Sequence, residues 1–259
     1  MDANTIASVR WKRSDLSNLL VHLTKQHEHD GKTMSARDSL ISILTPDEDG
    51  LCELRGGING FYSRGRLKDD SRLKSVCFTE APLDQIKHFS NPMPRKVACG
   101  HEYSPYGLVF KQDVIRGWGG NPCFYVNTMG KDNVLRNALS EFSKAQVNTG
   151  VPQQLKEQLM KVMIFINTFG PTAKGQITDF YWEREWRIPG SLSFYYDNIF
   201  CGLASIEDVD YFAGNYPHVP FVCPDWNIDK IIETLREWRP PQQEPMRETQ
   251  QCRNCGNYV

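Results

Sequence analysis

Residues 179–188, DFYWEREWRI, pack three carboxylates, two guanidinium groups and four aromatic rings into ten positions. On a strand, alternate side chains share a face. Tyr181, Glu183, Glu185 and Arg187 then stand together, with Phe180, Trp182, Arg184 and Trp186 opposite. Such a face could stabilise a developing positive charge or hold and deprotonate an incoming hydroxyl. The plainer alternative is an exposed surface of cross-strand Glu–Arg pairs. A second polar pair sits in LVHLTK (20–25), where His22 and Thr24 interrupt an apolar run. On a strand they are neighbours on one face, and on a helix they diverge by about 200°. Local periodicity favours a helix, because Leu16, Leu19, Leu20 and Leu23 fall at helical spacing behind Ser14.

Other candidate chemistry is thinner. Cys252 and Cys255 form a CxxCG half-site that could take zinc, but Cys201, Cys223 and His218 lack the spacing to complete it. His27 and His29 in KQHEHD read as solvated loop residues rather than as a metal site. The glycines of GWGG (117–120) fit no phosphate-loop pattern and read as a wide hairpin connection between YGLVF and CFYV. No GxSxG, HExxH or P-loop pattern occurs.

The elements that must position these residues alternate irregularly. Strands are expected at 75–82, 106–110, 121–127, 179–189 and 219–224. Helices are expected at 36–46, 131–148, 151–166, 205–215 and 227–238, the fourth opening on a capping box of Ser205 and Asp208. Such an order is α+β rather than doubly wound. Residues 1–239 read as one domain. Residues 240–259, rich in Pro, Gln, Glu and Arg, read as a tail.

The chain has 259 residues, 40% of them hydrophobic, 11% aromatic and 24% charged, with a net charge of −1. That composition is globular and gives no general attraction to polyanions. Nucleic acid would need a local patch, at 9–13 or 63–74, both of which also read as ordinary solvated surface. No apolar run reaches the length of a membrane span, the longest being Val162 to Phe169, and the N-terminus lacks a signal-peptide core. A cytoplasmic setting with mostly free thiols is therefore expected.

The order LVHLTK, VCFTEAP, YGLVFK with a following CFYV, and WEREWRI resembles the AbiGi family of phage-resistance proteins, over roughly residues 14 to 190. CFTE and EREWR are the most specific parts. That family is similar in turn to distant ADP-ribosyltransferases, the DarT and CmdT type of toxin found in phage-defence toxin–antitoxin–chaperone systems. The resemblance, not the periodicity, makes LVHLTK a strand and implies an ADP-ribosyltransferase-like arrangement of split mixed sheets with inserted helices.

What the resemblance implies chemically is transfer of ADP-ribose from NAD, through an oxocarbenium-like transition state at the ribose. Glu185 is then the catalytic carboxylate, with Glu183 as the alternate. His22 and Thr24 hold a ribose hydroxyl. Phe78, Tyr106 or Tyr62 covers the nicotinamide, and Arg55, Arg64 or Arg184 meets the pyrophosphate. The acceptor is expected to be nucleic acid, RNA ahead of single-stranded DNA, with protein also open. An antitoxin and a chaperone are expected partners, with 240–259 as the expected handle. Two features depart from DarT-type enzymes: the second Glu in WEREWR, and the long insertion at 131–166. Two readings compete with the toxin. One is an antitoxin or interaction module of the same fold without NAD activity. The other is a metal-dependent nucleic-acid-binding or cleaving protein.

Overall fold

The computed structural model describes residues 17–29, 32–58, 70–88, 104–127, 129–130, 132–147, 150–171, 177–178 and 181–241. Its centre is an eight-stranded mixed sheet. Seven strands run in the order β15 (Phe221–Val222), β14 (Ile199–Leu203), β7 (Gly107–Lys111), β1 (Leu19–Leu23), β6 (Lys74–Thr79), β12 (Glu185–Pro189) and β8 (Asn121–Pro122), and β5 (Gly57–Ile58) pairs beside β6. Only β14 and β15 run parallel within it. The fold is α+β, as the irregular alternation of elements requires.

LVHLTK is a strand. Every residue of Leu19–Leu23 has a partner in Gly107–Lys111, and Val21 also faces Thr79 of β6. Local helical periodicity loses here because a central strand buried on both faces needs apolar residues at every position, not at alternate ones. Gly107 is forced by this pairing, since a Cβ there would lie 2.5 Å from the His22 carbonyl oxygen.

One face of the sheet carries Leu20, Phe78, Leu108, Phe110, Trp186 and Ile188. It packs against helix α1 (Ala36–Leu44) through Leu40 and Leu44, and against Ile115 of α2 (Gln112–Gly117). The two-stranded sheet of β4 (Cys52–Leu54) and β13 (Leu192–Phe194) covers the same face, together with Phe212 of α5 (Val209–Asn215). The opposite face carries Val21, Val109, Cys201 and Leu203 under Ile86 and under Ile231 of α6 (Ile228–Glu237). A separate three-stranded sheet of β9 (Phe124–Asn127), β10 (Ile166–Pro171) and β11 (Ile177–Thr178) packs on Leu139 of helix α3 (Val134–Val147), while Met160 and Met163 of helix α4 (Gln153–Met163) pack with Leu73.

Several local expectations are corrected. GWGG does not close a hairpin: α2 follows β7 directly, and β8 pairs with β12 instead. The helix expected to reach residue 166 stops at Met163, and Ile166 already belongs to β10, paired in parallel with Phe124. In α3, Leu139 packs inward, whereas Val134 and Leu135 are exposed. The capping box expected at Ser205 and Asp208 does not form. The carboxylate of Asp208 accepts from Tyr106 and pairs with Arg37 at 3.1 Å. His27–His29 is a strand, β2, paired with Lys32–Met34, β3.

Candidate functional site

The strand expected at 179–189 is shorter at its start. Tyr181–Glu183 forms a 3-10 turn, and Arg184 adopts φ +44°, a left-handed conformation uncommon outside glycine. The turn resets the alternation, so regular strand geometry begins only at Glu185. Glu183 therefore does not share a strand face with Glu185, which corrects the pairing read from the sequence. Its carbonyl accepts the Thr79 hydroxyl, and the Arg184 carbonyl accepts the Glu80 amide. EREWR is thus fastened to CFTE through backbone groups of the turn.

Glu185 lies in a closed cage. Arg187 donates from Nε to Oε1 at 2.8 Å and from Nη2 to Oε2 at 2.7 Å, and Asn167 donates from Nδ2 to Oε2 at 2.8 Å. The Glu185 amide donates to the Tyr125 hydroxyl at 2.6 Å. The thiols of Cys77 and Cys123 adjoin the same carboxylate. Arg187 in turn caps the carbonyls of Ile164 and Ile166, at 2.6 and 3.3 Å, tying the central sheet to the start of β10. Glu185 is 6% exposed and Arg187 1%.

Burial pushes the Glu185 carboxyl upward, but the charge and hydrogen bonds of Arg187 outweigh it and hold it below the usual carboxylate range. The sign of the linkage follows. A depressed folded value means that the pair contributes stability above the unfolded value of about 4.3, and loses it as pH falls through the folded value. Urea midpoints taken from pH 7 downward should drop below about pH 4, and Glu185→Gln should flatten that acid limb.

Val21, Thr79 and Glu185 are aligned across β1, β6 and β12, so they share one face. Phe78 and Trp186 are aligned on the other. His22 belongs with Phe78, its ring 5.9 Å away and edge-on. His22 and Glu185 thus stand on opposite faces of the sheet. The His22 ring donates from Nδ1 to the Cys77 carbonyl at 2.8 Å, which leaves Nε2 as an acceptor. Burial lowers its pKa, against the raising effect of that carbonyl.

The remaining candidates are spread through the fold. Thr24 is 4% exposed, with its hydroxyl donated to the Ala36 carbonyl at 2.8 Å. Phe78 is buried in the core between His22 and Phe110. Tyr106 hydrogen-bonds Asp208 and Ser205 through its hydroxyl, on the α5 side. Arg55 is exposed and paired with Glu53 at 3.3 Å. Tyr62, Arg64, Cys252 and Cys255 lie outside the described residues, as do the patch at 9–13 and most of that at 63–74. Among the described residues no group of three or more His, Cys, Asp or Glu side chains could hold a metal ion. His218 stacks on Tyr196 with rings 4° from parallel, while Cys201 and Cys223 are buried.

Arg187, read from its spacing as a neighbour of Glu185, completes the cage together with Asn167, which the sequence did not single out. Glu80 is a second residue it did not single out. Its Oε2 accepts the Trp186 indole N–H at 2.9 Å, while Oε1 is buried with no hydrogen-bond partner. An acidic residue ending an otherwise apolar strand, in CFTE, was the available signal.

Residues 69–211 match the family described as abortive phage resistance protein AbiGi, antitoxin. That span is more than half of the chain and contains β6, β7, β12, the Glu185 cage and Glu80. The chain belongs to the AbiGi family. The family is one of phage resistance, and its description is that of an antitoxin. No curated protein and no solved structure matches it. Among the described residues no helix is long and apolar enough to cross a membrane.

Proposed function

We propose that this AbiGi-family chain is the antitoxin of an abortive-infection pair, a protein-binding module that restrains its toxin without using NAD. The family description names that role. The observation that carries the reading is the Glu185 cage. A carboxylate that assists ribosyl transfer must face the developing charge. Here both carboxylate oxygens are already engaged by Arg187 and Asn167 at 2.7–2.8 Å. His22, the expected ribose partner, stands across the sheet, and Phe78 supports the core instead of covering a nicotinamide. The polar residues of EREWR then act as a clamp between two sheets, and the outer surface is what meets the toxin.

The transferase reading keeps one favourable observation: residues 19–23 form the strand that the resemblance to ADP-ribosyltransferases requires. An antitoxin built on a transferase-like scaffold accommodates both. Incubation of the purified chain with labelled NAD and pools of RNA, single-stranded DNA and cell protein separates them. The antitoxin reading expects no label in any pool and no thermal stabilisation by NAD. Label in one pool that disappears in Glu185→Gln would establish the transferase and its acceptor class together.

A further inference from the structure

We infer that Glu80 and His22 form a receptor for a guanidinium group, supplied by an arginine of the bound toxin. The source of the arginine rests on the antitoxin reading; the receptor does not. Glu80 is 9% exposed, and its backbone and one carboxylate oxygen are fixed by the Arg184 carbonyl at 3.2 Å and the Trp186 indole at 2.9 Å. The other oxygen, Oε1, has no donor. A buried carboxylate oxygen without a donor carries a desolvation cost that a hydrogen-bonding cation removes.

Register brings a second acceptor to the same face. Val21 opposite Thr79 sets His22 opposite Phe78 and Leu20 opposite Glu80, the residue that follows β6, so His22 and Glu80 are diagonal neighbours on the face that Phe78 shares. Diagonal neighbours of this kind stand about 7 Å apart, within the reach of one planar group with several N–H donors. Because Nδ1 of His22 donates to the Cys77 carbonyl, its Nε2 is an acceptor as well. Two acceptors, one of them a carboxylate, select a donor-rich cation over an anion or a neutral acceptor. The aromatic surroundings select guanidinium over ammonium, since a planar cation stacks on a ring. The chain itself displays that contact: the Arg116 guanidinium lies 5.6 Å from the Trp186 ring centroid, yet does not reach Oε1.

The test uses agmatine as the guanidinium probe and cadaverine as its ammonium counterpart, with the Trp186 indole N–H resonance of the whole chain as the reporter. Agmatine should shift that resonance saturably in the millimolar range, and cadaverine should act at least about tenfold more weakly. Glu80→Gln should abolish the response with Tm unchanged or raised, because it removes a buried charge that lacks a full set of donors. A wild-type resonance indifferent to agmatine, an equal response to cadaverine, or an undiminished response in Glu80→Gln would each overturn the inference. Agmatine should also reduce capture of the toxin. Capture indifferent to agmatine, alongside an intact indole response, would refute the toxin as the source of the arginine while leaving the receptor standing. A chain that captures no toxin but responds to agmatine would count against the antitoxin reading and not against the receptor.

Discussion

Replacing Arg187 with Met lowers the stability of the fold by about 3–5 kcal/mol, because Glu185 is left buried and charged without its partner. The loss has several parts that act together. Two charge-assisted bonds to Glu185 disappear, at 2.7 and 2.8 Å, and the carbonyls of Ile164 and Ile166 lose their shared donor. Asn167, through one bond at 2.8 Å, and the neighbouring thiols of Cys77 and Cys123 are then what supports the carboxylate. In a chain of this size the Tm should fall by roughly 10 °C. Adding Glu185→Leu to Arg187→Met should restore part of the loss, since an apolar pair of similar volume carries no charge into the interior. The two changes are therefore strongly non-additive, which thermal denaturation of the double-mutant cycle measures directly. Additive losses would mean that the carboxylate and the guanidinium do not act as a pair.

Phe78→Ala is the second large effect, a loss of about 3–5 kcal/mol. Its ring is 2% exposed and meets Phe110 edge-on at 5.7 Å, with His22 at 5.9 Å on the other side. Truncation opens a cavity where strands β1, β6 and β7 meet the core, in a place that backbone pairing keeps from collapsing. The expected signature is a fall in the urea midpoint with an unchanged denaturant slope. A ring that covers a nicotinamide behaves differently, because removing it from a cleft wall costs little stability. A Phe78→Ala variant within about 1 kcal/mol of wild type would place the ring at a ligand surface and weaken the core assignment.

These two residues also mark what the sequence could and could not carry. The strand at 74–79 and the helix at 36–44 were legible, the first from β-branched and aromatic density before a proline, the second from apolar spacing that stops at Pro46. That Glu185 and Arg187 share a face followed from their spacing alone. Their burial did not, because the carbonyls that Arg187 caps come from Ile164 and Ile166, in a segment whose local pattern continues the preceding helix. Only the parallel pairing of Ile166 with Phe124 makes it a strand. The separation of Glu183 from Glu185 was equally hidden. It depends on a positive φ at Arg184, and nothing in the residue type announces such a turn. LVHLTK went the other way: its helical periodicity was real, and pairing with Gly107–Lys111 overrode it. The face on which His22 lies follows from the register with β6, which no local pattern encodes.

We propose an antitoxin whose polar core is structural and whose action is on a partner protein. Growth of cells expressing the toxin of the pair, with and without this chain, tests that most directly. Wild type should restore growth, and the Glu185→Leu, Arg187→Met double variant should restore it too wherever it remains folded, since no catalytic carboxylate is needed. If the chain expressed by itself arrests growth, and Glu185→Gln relieves the arrest while remaining folded, the chain is the toxin and the antitoxin reading is wrong.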